Sequence, residues 1–147
     1  MTPSIHLLDP VNGYKLGSHF PTMRCGRTQN VNSAQPLHTS NPAKVTCTSC
    51  KSYMNNPWRI MRKYGQVKVV EDMFVMFWGA YGYKFDIAAV IEAPGTWTIC
   101  VAHNNGWHVN LTTKAGNMPQ LGFKLVDILE KEIINLKNQT NYGKCNF

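Results

Sequence analysis

The stretch VTCTSCK sets Cys47 and Cys50 in a C-x-x-C spacing, within a chain of 147 residues that holds five cysteines. Two thiolates at that spacing can reach one metal ion, because the backbone between them curls back on itself. A structural zinc centre takes four ligands, so two more must come from elsewhere in the chain. The same half of the sequence offers Cys25, His6, His19 and His38. Cys25 stands in RCGR, where Gly26 suits the tight turn beside a metal-bound thiolate, and is the natural third ligand. On residue types alone the fourth stays open among the three histidines.

Other chemistries for the pair are weaker. A redox pair of the thioredoxin type follows a strand and opens a helix inside a βαβ unit, and neither flank of VTCTSCK reads that way. Inert thiols at chance spacing leave unexplained why a third cysteine and a histidine fall in the same segment. An iron–sulfur cluster with one histidine ligand ranks lowest.

The segment that must position these groups has no visible core. Residues 1–52 are rich in Pro, Asn, Ser, Thr and Gly and follow neither the helical nor the strand period. A stretch of this kind orders only if something other than apolar burial staples it. A closed tetrahedral zinc site can do so, since a binding free energy of roughly 10 kcal/mol or more acts as folding free energy. Four protein ligands leave no position for a substrate, so the expected Zn2+ is structural.

The pieces IHLLDP, RCGRTQ and SNPAKVTCTSCK, spanning roughly residues 5–51, resemble the small zinc-finger-like proteins of bacteriophages and actinobacteria. Their pattern runs His-Leu, Cys-Gly-Arg, then Val-Thr-Cys-x-x-Cys, and the last piece is the most specific. The resemblance implies His6, Cys25, Cys47 and Cys50 as a Cys3His ligand set, with longer insertions here that keep His19 and His38 as substitutes for His6. It implies nothing about the second half of the chain.

That second half has a different grammar. MNNPWRIMRKYG predicts a short linker helix over 53–66, with Asn56 as cap, Pro57 in the first turn and Gly65 at the stop. From residue 67, MFVMFWGAY, YKFDIAAVIE, TWTICVAH and WHVNLTT predict four strands of an antiparallel meander, separated by Gly-Tyr, Pro-Gly and Asn-Asn-Gly turns. A three-residue loop, Asn104 to Gly106, aligns Trp97, Ile99 and Val101 with Trp107, Val109 and Leu111, and requires Gly106 in a left-handed conformation. Leu125, Val126, Leu129, Ile133 and Leu136 recur at helical spacing opposite Lys124, Asp127, Lys131 and Lys137, which predicts a helix packed on the sheet. The expected architecture is α+β: a zinc-stapled, loop-rich module over 1–52, the linker helix, a ββββα domain over 67–140 and a tail over 141–147.

The net charge of +7 lies entirely in residues 1–66, where eight basic side chains meet Asp9 alone. Arg24 and Arg27 flank Cys25, and Lys51, Arg59, Arg62 and Lys63 are interleaved with Tyr53, Trp58 and Tyr64. Cations that neutralise phosphates beside aromatics that stack on bases predict contact with nucleic acid or a nucleic-acid-bound complex. The competing expectations are a solvated basic face with Trp58 and Met61 as packing residues, and a phage-encoded inhibitor that binds a host or defence protein. His103 and His108 near one hairpin raise a metal-dependent nuclease, but the three-residue register puts them on opposite faces. Asp72, Asp86 and Glu92 form no spaced acidic pair, and there is no phosphate loop or nucleophile elbow. The expectation is a non-enzymatic, cytoplasmic protein, with no membrane span and no signal peptide at MTPSIHLLDP.

Overall fold

The computed structural model describes residues 4–11, 23–25, 38–71, 73–80, 82–103, 106 and 108–145, and of 137–145 it describes the helical backbone alone. The chain divides into two compact units, Met1–Asn55 and Asn56–Phe147. His19, Arg27 and Trp107 lie outside the described residues.

The first unit is organised around one short strand. β1 (His6–Leu7) pairs in parallel with β2 (His38–Thr39), in a register that sets His6 beside His38. Leu8 makes an isolated antiparallel bridge to Met23, and the Arg24 amide donates to the Leu7 carbonyl at 2.8 Å. The Ile5 carbonyl accepts from both Thr46 N and Cys47 N at 2.9 Å, while Ile5 N donates to Thr46 Oγ1 at 2.7 Å. Three chain segments are thus tied to residues 5–8. A 3-10 turn, Pro42–Lys44, capped by Asn41, leads to α1 (Thr48–Asn55).

Apolar burial in this unit is slight. Its described core is Leu7, Met23, Val45, Cys47 and Cys50, with Cys25 and Met54 packed against it. Three of those seven residues are the candidate thiolate ligands, so the candidate centre and the core occupy the same place.

The linker helix predicted between the Asn56 cap and Gly65 forms, while residues 53–55 belong to a separate helix, α1. Asn56 is extended (φ −129°, ψ 92°) because the following proline disfavours helical geometry there, and α2 (Pro57–Tyr64) starts afresh. Asn56 Oδ1 accepts from Arg59 N at 3.3 Å, the predicted cap. The break coincides with the boundary between the units.

Gly65 ends α2 and immediately begins a strand. The sheet has five strands rather than four, in the order β3 (Gly65–Val70), β4 (Phe74–Gly79), β5 (Phe85–Ala93), β6 (Thr96–His103) and β7 (His108–Lys114), all antiparallel. β3 lacks a sequence signature because it is an edge strand with mostly exposed side chains, Lys68 among them. A methyl group at Gly65 would collide with the Trp78 carbonyl and lie 2.6 Å from the Phe77 ring, so β3 approaches β4 only with glycine there. The last hairpin has the predicted register: Trp97, Ile99 and Val101 oppose Thr113, Leu111 and Val109, and Gly106 is left-handed at φ 92°.

α3 (Met118–Cys145) covers one face of this sheet. It begins earlier than its apolar stripe indicated, because Asn117 caps it by accepting from Gln120 N at 2.9 Å. It also runs on to Cys145, through residues where the sequence predicted a tail. Leu121, Leu125, Leu129 and Ile133 are fully buried with Val75, Phe77, Phe85, Ile87, Ile99 and Val101 of the sheet. Gly122 allows α2 to approach α3: a Cβ there would stand 2.6 Å from Pro57 Cγ and 3.0 Å from Trp58 Cε2. A buried polar link from Tyr64 Oη to Glu130 Oε2 at 3.0 Å and a part-buried one from His103 Nε2 to Glu132 Oε2 at 3.1 Å pin α3.

Candidate metal centre

Four groups from three segments meet in the first unit. His6 Nδ1 or Nε2 and the sulfurs of Cys25, Cys47 and Cys50 all lie within 4.8 Å of one another. His6 Nδ1 stands 3.5 Å from Cys25 Sγ and 3.7 Å from Cys50 Sγ. Metal–sulfur bonds of about 2.3 Å and metal–nitrogen bonds of about 2.05 Å at tetrahedral angles give N···S edges of about 3.6 Å. The two observed edges bracket that value, so His6 stands at the distance from two of the thiols that a shared tetrahedral ion requires.

Each ligand is placed by a local device. His6 sits on β1, to which the other segments are hydrogen-bonded. Cys25 follows Arg24, whose amide is fixed to Leu7. Cys47 precedes the first residue of α1, and its sulfur lies 3.5 Å from the amide of Cys50, in the manner of an N-cap. Cys50 sits within the first turn of α1 and is fully buried. The C-x-x-C therefore does open a helix, contrary to the sequence expectation, but the strands before it are a parallel two-strand ribbon and among the described residues no βαβ unit surrounds it.

Two of the thiols are shifted, in opposite directions. At Cys47 burial opposes the charged form, yet hydrogen bonds from the Cys50 and Ser49 amides and from neighbouring thiols outweigh it and lower the pKa below 9.0. At Cys50 burial prevails: despite amide hydrogen bonds from Leu7 and Cys25, the pKa is pushed up to about 11, with the nearby charge of Cys25 adding to the rise. Three sulfurs in one small volume repel as anions, and a divalent cation between them removes the conflict.

Of the alternative fourth ligands, His38 lies beside His6 in the register but outside the four-group cluster, and its Nδ1 is buried with no hydrogen-bond partner. The cationic residues divide. Arg24 is drawn inward: it is 6% exposed, and its guanidinium is 3.7 Å from Asp9, whose side chain is wholly buried. The expectation of Arg24 as a surface cation fails because a buried carboxylate claims it. Lys51 is exposed on α1 of the first unit. In the second unit Arg59 and Arg62 are exposed and Lys63 half-buried on one side of α2, opposite buried Pro57, Ile60, Met61 and Tyr64. Trp58 is half-buried, close to Gly122 of α3, so its ring packs this helix as well as meeting solvent.

Sequence reasoning passed over Asp9. Its signal was present all the same, as the lone acid among the eight cations of residues 1–66.

The nuclease constellation is not assembled. His103 is engaged by Glu132 and lies against the Phe85 ring, with centroids 6.0 Å apart, while His108 is exposed. Ala102, not His103, opposes His108, so the two histidines occupy opposite faces of the sheet. Among the described residues the His6 cluster is the one group of three or more potential ligands gathered within reach of a single ion, and no helix is long and apolar enough to cross a membrane.

No family model, no curated protein and no solved structure matches this chain.

Proposed function

We propose that the chain is a non-enzymatic zinc protein whose Cys3His centre orders the first unit, and that its cationic helical surfaces engage nucleic acid or a nucleic-acid-bound complex. The observation that carries the zinc reading is the convergence of four ligand atoms within 4.8 Å, in a unit whose core is otherwise a handful of side chains. The three-thiolate, one-imidazole set is soft and tetrahedral, the combination that selects zinc over the harder divalent cations. The nucleic-acid reading rests on Arg59, Arg62 and Lys63 on one side of α2 and on Lys51 of α1, with Arg24 removed from the set. Kinship with the phage and actinobacterial zinc-finger-like proteins belongs to the same proposal and rests on the motifs of residues 5–51.

A second reading, direct binding of a host or defence protein, is favoured by the exposed apolar side chains Val69, Val70, Met73 and Val90 of the sheet unit.

Two measurements on the purified full chain test these readings. Elemental analysis is expected to give one zinc per chain, lost on Cys47→Ala; a metal-free protein under reducing conditions would end the zinc reading. Binding to single-stranded and duplex DNA, followed while salt is raised, is expected to weaken steeply as counterions are released and to fall when Arg59 and Arg62 are changed to Ala. Binding that is absent at low salt, or insensitive to salt, turns the assignment toward a protein partner.

A further inference from the structure

We propose that Asp9 and Arg24 are positioning residues for the metal centre, an ion pair that fixes the register in which Cys25 reaches His6. This inference rests on the zinc reading above.

Among the described residues, Cys25 is brought to the centre by a segment held to β1 through an isolated bridge, Leu8 to Met23, and an amide hydrogen bond, Arg24 N to Leu7 O at 2.8 Å. Such a pairing specifies register weakly, and a slip of one residue would turn the Cys25 side chain to the opposite face. The next side chain along carries the missing specification. Asp9 follows the β1 segment, accepts from Val11 N at 2.9 Å, and faces the Arg24 guanidinium at 3.7 Å. The two side chains are 0% and 8% exposed. Any slip that separated them would break a buried ion pair, a far larger penalty than the loss of one bridge. Because Arg24 immediately precedes Cys25, the register that satisfies Asp9 is the one that delivers Cys25 Sγ to 3.5 Å from His6 Nδ1.

The composition of the unit supports a placed role over a general electrostatic one. Asp9 is the lone acid of residues 1–66, and an acid kept to moderate the excess of positive charge would serve best in solvent. It is instead 1% exposed. Buried ion pairs commonly add little net stability relative to apolar residues of similar volume, whereas their attested use is to specify one alignment over others.

The test uses the full chain with cobalt(II) in place of zinc, whose absorption reports the number of thiolates bound, and zinc competition against a chromophoric chelator. Single changes at either position remove one charge of the buried pair and can unfold the unit, so the decisive variant is the double change Asp9→Leu with Arg24→Met, which removes both charges together. The expected result is a chain that still binds one metal, with zinc affinity reduced about 10- to 100-fold, the usual effect of losing support around a ligand, and with weakened sulfur-to-cobalt charge-transfer absorption. Arg24→Lys, which keeps the charge, is expected to restore the absorption of the native site. A double variant with native affinity and native cobalt spectrum would overturn the proposal while leaving the zinc reading intact. Absence of metal from the unsubstituted chain would bring down both.

Discussion

Replacing His6 by Ala, with His38→Ala as its companion, separates a ligand from a neighbour. The two histidines are register partners on parallel strands, so their side chains project from the same face of the ribbon. Only His6 belongs to the cluster, with Nδ1 at 3.5 and 3.7 Å from two of the sulfurs. Structural zinc sites bind with roughly 10–16 kcal/mol, so an even share for one ligand in four is about 2.5–4 kcal/mol, or roughly 10²–10³-fold in affinity. His6→Ala is therefore expected to weaken zinc binding by about that factor, while His38→Ala stays within about tenfold of the native chain. Competition with a chromophoric chelator at fixed pH measures both, and elemental analysis gives the stoichiometry. The reasoning fails if His38→Ala shows the large loss and His6→Ala binds as the native chain does, since the fourth ligand would then be the histidine outside the cluster.

Three other outcomes are expected. Zinc binding should strengthen with pH across the neutral range, because Cys50, raised to about 11, keeps its proton in the metal-free site until the ion displaces it; proton release on binding, measured in weakly buffered solution, checks this. Gly122→Ala should lower the melting temperature of the second unit despite alanine's better helix propensity, because a Cβ 2.6 Å from Pro57 Cγ forces α2 and α3 apart at a cost of about 1–3 kcal/mol. Tyr64→Phe should cost a similar amount, roughly 1.5–3 kcal/mol in a denaturant titration, since it deletes the buried hydrogen bond to the Glu130 carboxylate.

The parts legible in the sequence were those whose determinants are local. Helical spacing from Leu125 to Ile133 marked the face of α3 that is buried, and Asn56-Pro57 marked a helix start. The alternation of β6 and β7, with glycine at the loop, fixed both the register and the left-handed Gly106. Cys47 and Cys50 were legible as candidate ligands because both stand in one turn, where spacing alone determines their separation. The edge strand β3 was not legible, since a strand covered on one side only loses the apolar alternation that identifies the others. The break between α1 and α2 was half-legible: the proline was read as a start without its equal meaning as the end of what precedes it.

What the sequence by itself determined was the chemistry available, three thiols and several imidazoles in a segment too polar to build a core, followed by a segment patterned for sheet and helix. Which histidine joins the thiols, and which arginine is a surface charge, depended on contacts between residues far apart in the chain. His6 and His38 are equivalent as residue types, and only the placement of residues 5–8 among three other segments brings one of them to the sulfurs. Arg24 reads as a free cation until Asp9, fifteen positions earlier, is found buried against it. Tertiary structure decides such questions because ligation and ion pairing depend on distances of a few ångströms that no local pattern encodes.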